Sequence, residues 1–271
     1  MNLSYIPNDA NYQVSLSSSG SFHDDEVRTL NYEVSIRHLN KDDQWNYIEI
    51  RKSNLLMNNE EMQDAFNDVL LQTAEVMNTV VVKMNTSGYA IGIQNHAEIR
   101  DKWITIRKKV EDMYYGKELA SYLDAMQEKL NSPETLWEAL SKSFLYTTFF
   151  NGIYKNYGEG KKAQGGMVIR DLLPTEIIST AIDKELKTDT VSGISIISVK
   201  EQQNIHVLHP DTQHFFKNEY PTNAFPGKAH LAIVGQYYIK QNSGSIQQIN
   251  MEALIRLDAF YYKKLQIEIL Q

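Results

Sequence analysis

Two hydrophobic periods divide this chain, and their order limits its possible folds more than any other feature. Over 32–52 the period is two. Tyr32, Val34 and Ile36 share one face while Glu33, Ser35 and Arg37 share the other. Asn40-Lys41-Asp42-Asp43 turns the chain, and a return strand from Trp45 to Lys52 places Ile48 and Ile50 on one face. The period of two returns over 229–270: Leu231, Ile233, Tyr237 and Ile239 alternate, then Ile249, Met251, Ala253 and Ile255, then Leu265, Ile267 and Ile269. With Asn242-Ser243-Gly244 as a turn, this predicts a three-stranded meander.

Between the two strand-rich ends the period lengthens. Ile99, Trp103, Ile106, Val110 and Met113 recur at intervals of 4, 3, 4 and 3 amid mostly charged residues, which predicts an amphipathic helix. Asn95 stands three residues before Glu98, a capping-box spacing, and Gly116 ends the helix. A second helix covers 117–130. A third opens at Ser132-Pro133-Glu134, with proline in the first helical position, and runs to Phe150.

Other segments are read the same way. A helix is expected over 59–77, capped by Asn59 and carrying Met62, Phe66, Val69, Leu70 and Val76. A hairpin over 80–93 turns at Asn85-Thr86-Ser87-Gly88. Ile177, Ile178, Ala181, Ile182 and Leu186 suggest a helix over 174–186, and 191–199 a strand. The glycine-rich stretch 158–166 reads as a linker or mobile loop. Residues 202–228, with Pro210, Pro221 and Pro226, read as a loop.

Together these elements predict an α+β fold. A mostly antiparallel, curved sheet drawn from both ends packs on helices, and a helical lobe lies in the middle of the chain. The parts are a strand-rich 1–94 with one helix, a helical lobe 95–157, and 158–271 with a helix and the meander. They are read as one composite domain; two small domains hinged at 158–166 are the alternative. At the level of architecture alone, strands wrapped around helices resemble lipid-carrier half-barrels and helix-grip folds, and this implies nothing about function.

Composition narrows the function classes. The 271 residues carry 27 Lys and Arg against 34 Asp and Glu, a net charge of −7, so nucleic acid is not expected as a partner. There is no cysteine, which excludes disulfides, cysteine–zinc sites and thiol nucleophiles. The segment Met1–Pro7 lacks the basic and apolar regions of a signal peptide, and no stretch approaches the ~18 apolar residues of a membrane span. A cytoplasmic location is therefore expected, although a chain trimmed of a leader reads the same.

Few residues suggest chemistry. His206, His209, Asp211 and His214 are metal-ligand types within nine positions, but the spacing is irregular, and Pro210 argues against one helix carrying them. A polar loop is the simpler reading. Gly158-Glu159-Gly160-Lys161-Lys162 lacks the Ser/Thr of a phosphate-binding loop, and His96-Ala97-Glu98 lacks the cysteines of a zinc deaminase. The acidic runs Asp24-Asp25-Glu26, Asp42-Asp43 and Glu60-Glu61 read as a loop, a turn and a helix start. Sixteen tyrosines, many beside another aromatic, are ordinary strand formers; a recognition surface would use Phe215, Phe216, Tyr220, Phe225, Tyr237 and Tyr238.

The resulting expectation is a non-enzymatic protein-binding module of adaptor, chaperone-like or immunity type. It has a protein partner and no cofactor. The alternatives are a carrier holding an apolar small molecule between sheet and helix, and a hydrolase without a linear motif that uses the 206–214 cluster.

Overall fold

The structure, a computed structural model, describes residues 2–21, 27–42, 44–58, 65–219, 228–257 and 261–271. Its first part contains β1 (Ala10–Gly20), β2 (Arg28–Lys41), β3 (Trp45–Met57), α1 (Ala65–Ala74), β4 (Thr79–Asn85) and β5 (Ala90–Ile93). Four helices follow: α2 (His96–Met113), α3 (Lys117–Lys129), α4 (Pro133–Ser141) and α5 (Phe144–Phe149). The rest holds β6 (Lys162–Ile169), β7 (Ile178–Asp189), β8 (Ile194–Ile205), α6 (Pro210–Glu219), β9 (Ala229–Lys240), β10 (Ile246–Leu257) and β11 (Tyr261–Leu270).

All eleven strands form one antiparallel sheet in the order β5-β4-β3-β2-β1-β11-β10-β9-β8-β7-β6. The two strand-rich ends meet at its centre, where Val14 faces Ile269 and Leu16 faces Ile267 across the β1–β11 ladder. The α+β, curved-sheet expectation therefore describes the molecule. Among the described residues, no helix is long and apolar enough to cross a membrane.

Helices α2 to α5 connect the two edge strands. Helix α4 lies against β5 and α5 against β6, so helices cover edges that would otherwise offer free backbone groups. The sheet curls until its edges approach: a Cβ on Gly165 of β6 would come within 3.2 Å of the hydroxyl of Tyr89, which precedes β5.

The concave face is lined by alternate residues of each strand and is filled by α5 and the chain after it. Phe144, Leu145, Tyr146 and Thr148 of α5 are buried, as are Phe150, Ile153, Tyr154 and Tyr157 beyond it. Tyrosine hydroxyls tie this plug to the sheet. Tyr237 donates to the Thr148 carbonyl at 2.7 Å and Tyr154 to that of Gly244 at 3.0 Å, while within the sheet Tyr12 on β1 donates to the Ile246 carbonyl of β10 at 3.1 Å. Each buries a ring and satisfies its one polar atom.

Five expectations fail, each for a local reason. Residues 174–186 are mostly strand, not helix. In β7 the side chains of Ile178, Thr180, Ile182, Lys184 and Leu186 point inward and are buried. Two polar residues in that row mask the alternation, and Ile177, counted toward the helix, is 39% exposed. The 158–166 stretch is a turn leading into β6, where Gly165 leaves room for the Lys184 amine, 2.8 Å from where a Cβ would stand.

Residues 202–205 finish β8 and α6 starts at Pro210, where the sequence predicts a loop, while His206 and His209 stay outside that helix as Pro210 implies. Proline fits the first helical position because its missing N–H has no helical partner there. The helix predicted from 132 to 150 breaks at Lys142–Ser143 into α4 and α5. The Asn95 side chain does not cap α2; its Oδ1 accepts from the Val81 amide at 2.8 Å, and its Nδ2 donates to the Thr79 carbonyl. The capping box occurs at Ser132 and Thr135 of α4 instead.

Candidate functional site

Inward-facing rows of alternating strands should be apolar, yet Lys263 of β11 is in phase with Tyr261 and Leu265, and two further rows carry a lysine. On β3 the row is Ile48, Ile50, Lys52; on β7 it is Ile178, Thr180, Ile182, Lys184, Leu186. The two amines have different surroundings.

The Lys184 side chain is 1% exposed. Its Nζ donates to the Asn151 carbonyl and, at 3.4 Å, to the Gly152 carbonyl just past α5. The ring of Tyr89 lies 5.8 Å away. Burial, with a smaller contribution from Lys155, lowers the Lys184 pKa to about 7. The amine therefore holds the end of the plug to the sheet.

Lys52 is half-buried and sits opposite Val34 of β2. Its Nζ lies 5.4 Å from the ring centre of Tyr146 on α5 and 6.0 Å from that of Tyr32 on β2, within cation–π range. Burial lowers its pKa to about 8. The Tyr146 hydroxyl is buried without a hydrogen-bond partner, and desolvation raises the pKa of both phenols, so both rings keep their protons. This cluster contains a cation, two phenols and no carboxylate among the described residues.

Beside it runs a narrow apolar seam between the sheet and α5. A gap of about 10 Å³ is bounded by Val34, Ile50 and Leu145, and one of about 20 Å³ by Ile48, Met84 and Tyr12. Ile36, Phe149 and Phe150 line both.

The convex face differs. An open groove of about 740 Å³ crosses β1, β11, β10, β9 and β8. Ser15, Ser17 and Ser198 are the short side chains on its flanking strands; Gln236, Asn250, Glu252, Gln266 and Glu268 stand between them. They are cross-linked: Gln266 donates to Glu252 at 2.9 Å, Lys264 pairs with Glu252 at 3.0 Å, and Tyr238 donates to Gln236 at 2.7 Å.

The residues singled out in the sequence do not converge. His209 Nδ1 lies 3.4 Å from an Asp211 carboxylate oxygen, while His214 is on α6 beside Asn218 and His206 lies in the exposed loop after β8. Glu176 accepts from the His209 amide at 3.0 Å and from the Thr212 hydroxyl at 3.2 Å, which suits the positive end of α6. Among the described residues, no three His, Cys, Asp or Glu side chains gather as a metal site. Phe216 and Tyr237 are wholly buried, Phe216 against Tyr261 at 4.8 Å, so neither belongs to a surface. Phe215 and Tyr238 are half-buried. Tyr220, Phe225 and Asp24-Asp25-Glu26 lie outside the described residues.

No protein-family model matches the chain, and no curated protein matches it. Among solved structures, it is similar to one described as lipid–protein interactions in lipovitellin, with a TM-score of 0.46 and 8% identity. That match covers 97% of this chain and 25% of the other, so the chain spans about a quarter of that protein's length. A likeness of this size carries no argument about function.

Sequence reasoning missed Lys52 and Lys184. Their signal is a lysine in phase with the apolar row of a strand, and it is legible only once the strand and its inner face are assigned.

Proposed function

We propose that the chain is a non-enzymatic protein-binding module that holds a polar segment of its partner in the convex groove. The groove carries this reading, because its size of about 740 Å³ lies in the range of ligand sites while the concave gaps measure 10 and 20 Å³. Amide, hydroxyl and carboxylate groups on five neighbouring strands can hydrogen-bond an extended polar chain. The covered edges β5 and β6 disfavour recognition by strand addition, which leaves the sheet face as the working surface.

The test is a pull-down from native lysate with the wild-type chain and with Asn250→Arg/Gln266→Arg. Both side chains point outward from central strands, so the double variant fills and recharges the groove while leaving the core intact. A partner retained by the wild type and lost by the variant supports the proposal. Equal recovery by two equally folded proteins refutes it.

A further inference from the structure

The inward rows of β2 and β3 run in parallel under α5. On β3 the order is Lys52, Ile50, Ile48; on β2 it is Tyr32, Val34, Ile36, with Lys52 opposite Val34 and Ile50 opposite Ile36. One end of this track holds an ammonium and two phenols, and the rest is hydrocarbon.

The ammonium meets ring faces alone. No described carboxylate or carbonyl receives its protons, although a lysine has three N–H donors. The Tyr146 hydroxyl, 98% removed from solvent with its residue, likewise lacks a partner. Leaving the buried Tyr146 hydroxyl unmatched costs about 1–3 kcal/mol, which a protein normally avoids. Lys184 shows the avoidance, since two carbonyls receive its amine.

We propose that Lys52, Tyr32 and Tyr146 form the head-group site for the carboxylate of a linear apolar acid, with the acyl chain lying in the seam between β2–β3 and α5. A carboxylate supplies the acceptor that the buried Tyr146 hydroxyl lacks, and its negative charge balances the neighbouring ammonium. The two gaps mark the path of the tail, from Val34 and Ile50 past Ile36 to Ile48 and Met84. Phe149 and Phe150 line both gaps and occupy the volume a tail needs. Binding requires these rings to turn aside, and α5, six residues long and separated from α4 by a break, is the element that gives.

This site is on the concave face, opposite the convex groove, so the two proposals stand or fall separately. The experiment is calorimetric titration of the full chain with decanoate, using acetate and inorganic phosphate as head-group probes. Wild type is compared with Phe149→Ala, Lys52→Met and Tyr146→Phe, each checked by circular dichroism. Decanoate should bind one to one and at least several-fold more tightly to Phe149→Ala. Lys52→Met should weaken it about tenfold, and Tyr146→Phe less. Acetate and phosphate should bind far more weakly, because the seam contributes nothing to them. Should Lys52→Met fail to fold, Tyr146→Phe decides the head-group assignment. The proposal is overturned if neither wild type nor Phe149→Ala binds decanoate, if the folded head-group variants bind it equally well, or if phosphate binds as tightly as decanoate.

Discussion

Lys52 and Lys184 occupy corresponding places in the two halves of the sheet, each on the core-facing row of a strand beneath the α5 plug, yet their amines are treated differently. Lys184 gives its protons to the carbonyls of Asn151 and Gly152, whereas Lys52 has only the faces of Tyr32 and Tyr146. The same side chain is thus a structural tie in one place and an unmatched donor in the other. Beside Lys52 the buried Tyr146 hydroxyl has no acceptor, which costs free energy, so the second arrangement needs a reason beyond folding.

The comparison can be broken first at Gly152, which has a φ of +60°. A Cβ there would stand 2.0 Å from the Tyr89 ring. Gly152→Ala should lose about 4 kcal/mol in urea unfolding, combining backbone strain with overpacking. A loss under ~1 kcal/mol would show that the Lys184 cradle is soft. Lys184→Ala should lose about 3 kcal/mol by the same measurement, since it leaves a cavity and two buried carbonyls short of a donor.

The pH dependence is the third test. Folding lowers both lysine pKa values, to about 7 and about 8, so the unfolded chain binds more protons above those values. Stability is therefore lowest below about pH 7 and should rise as the pH climbs toward the unfolded lysine value of about 10. Thermal melts from about pH 6.5 to 9.5 should show this rise. Lys184→Met should remove most of it, and an unchanged slope would mean that Lys184 is not the group responsible. The smallest effect is expected for Lys52→Met in the absence of ligand. It trades a cation–π contact for relief from desolvation, and its stability should stay within about 1 kcal/mol of wild type. A loss as large as that of Lys184→Ala would erase the distinction between the two sites.

Much of the fold was legible because one face of each clear element is apolar. The 32–52 hairpin, α2 and the 229–270 meander each follow a single period and each is present, with Ile99, Trp103, Ile106 and Val110 buried on α2, although Met113 is exposed and Asn95 does not cap that helix. Strand β7 was misread because Thr180 and Lys184 interrupt its apolar row, and both are polar for reasons that appear only in three dimensions. Thr180 accepts from Gln203 at 2.9 Å, and Lys184 reaches the plug. The tyrosines read as ordinary strand formers, and Tyr12, Tyr154 and Tyr237 are interior struts, each bonded to a carbonyl 89 or more positions away, so assigning Tyr237 to a recognition surface misled. Neither candidate site was legible. The Lys52 cluster joins residues from β2, β3 and α5, and the groove exists only where five strands lie side by side.

The pairing of β1 with β11 also sets the order of events during synthesis. Strand β11 sits in the middle of the sheet and is the last of its strands to leave the ribosome. Until it does, β1 and β10 each present an unpaired edge, on two half-sheets that cannot yet join. The nascent chain therefore passes through a stage with two sticky borders, and a single late strand removes both at once. Folding of this chain should accordingly be slow, governed by contacts some 250 residues apart, and dependent on whatever shields those borders until the final strand arrives.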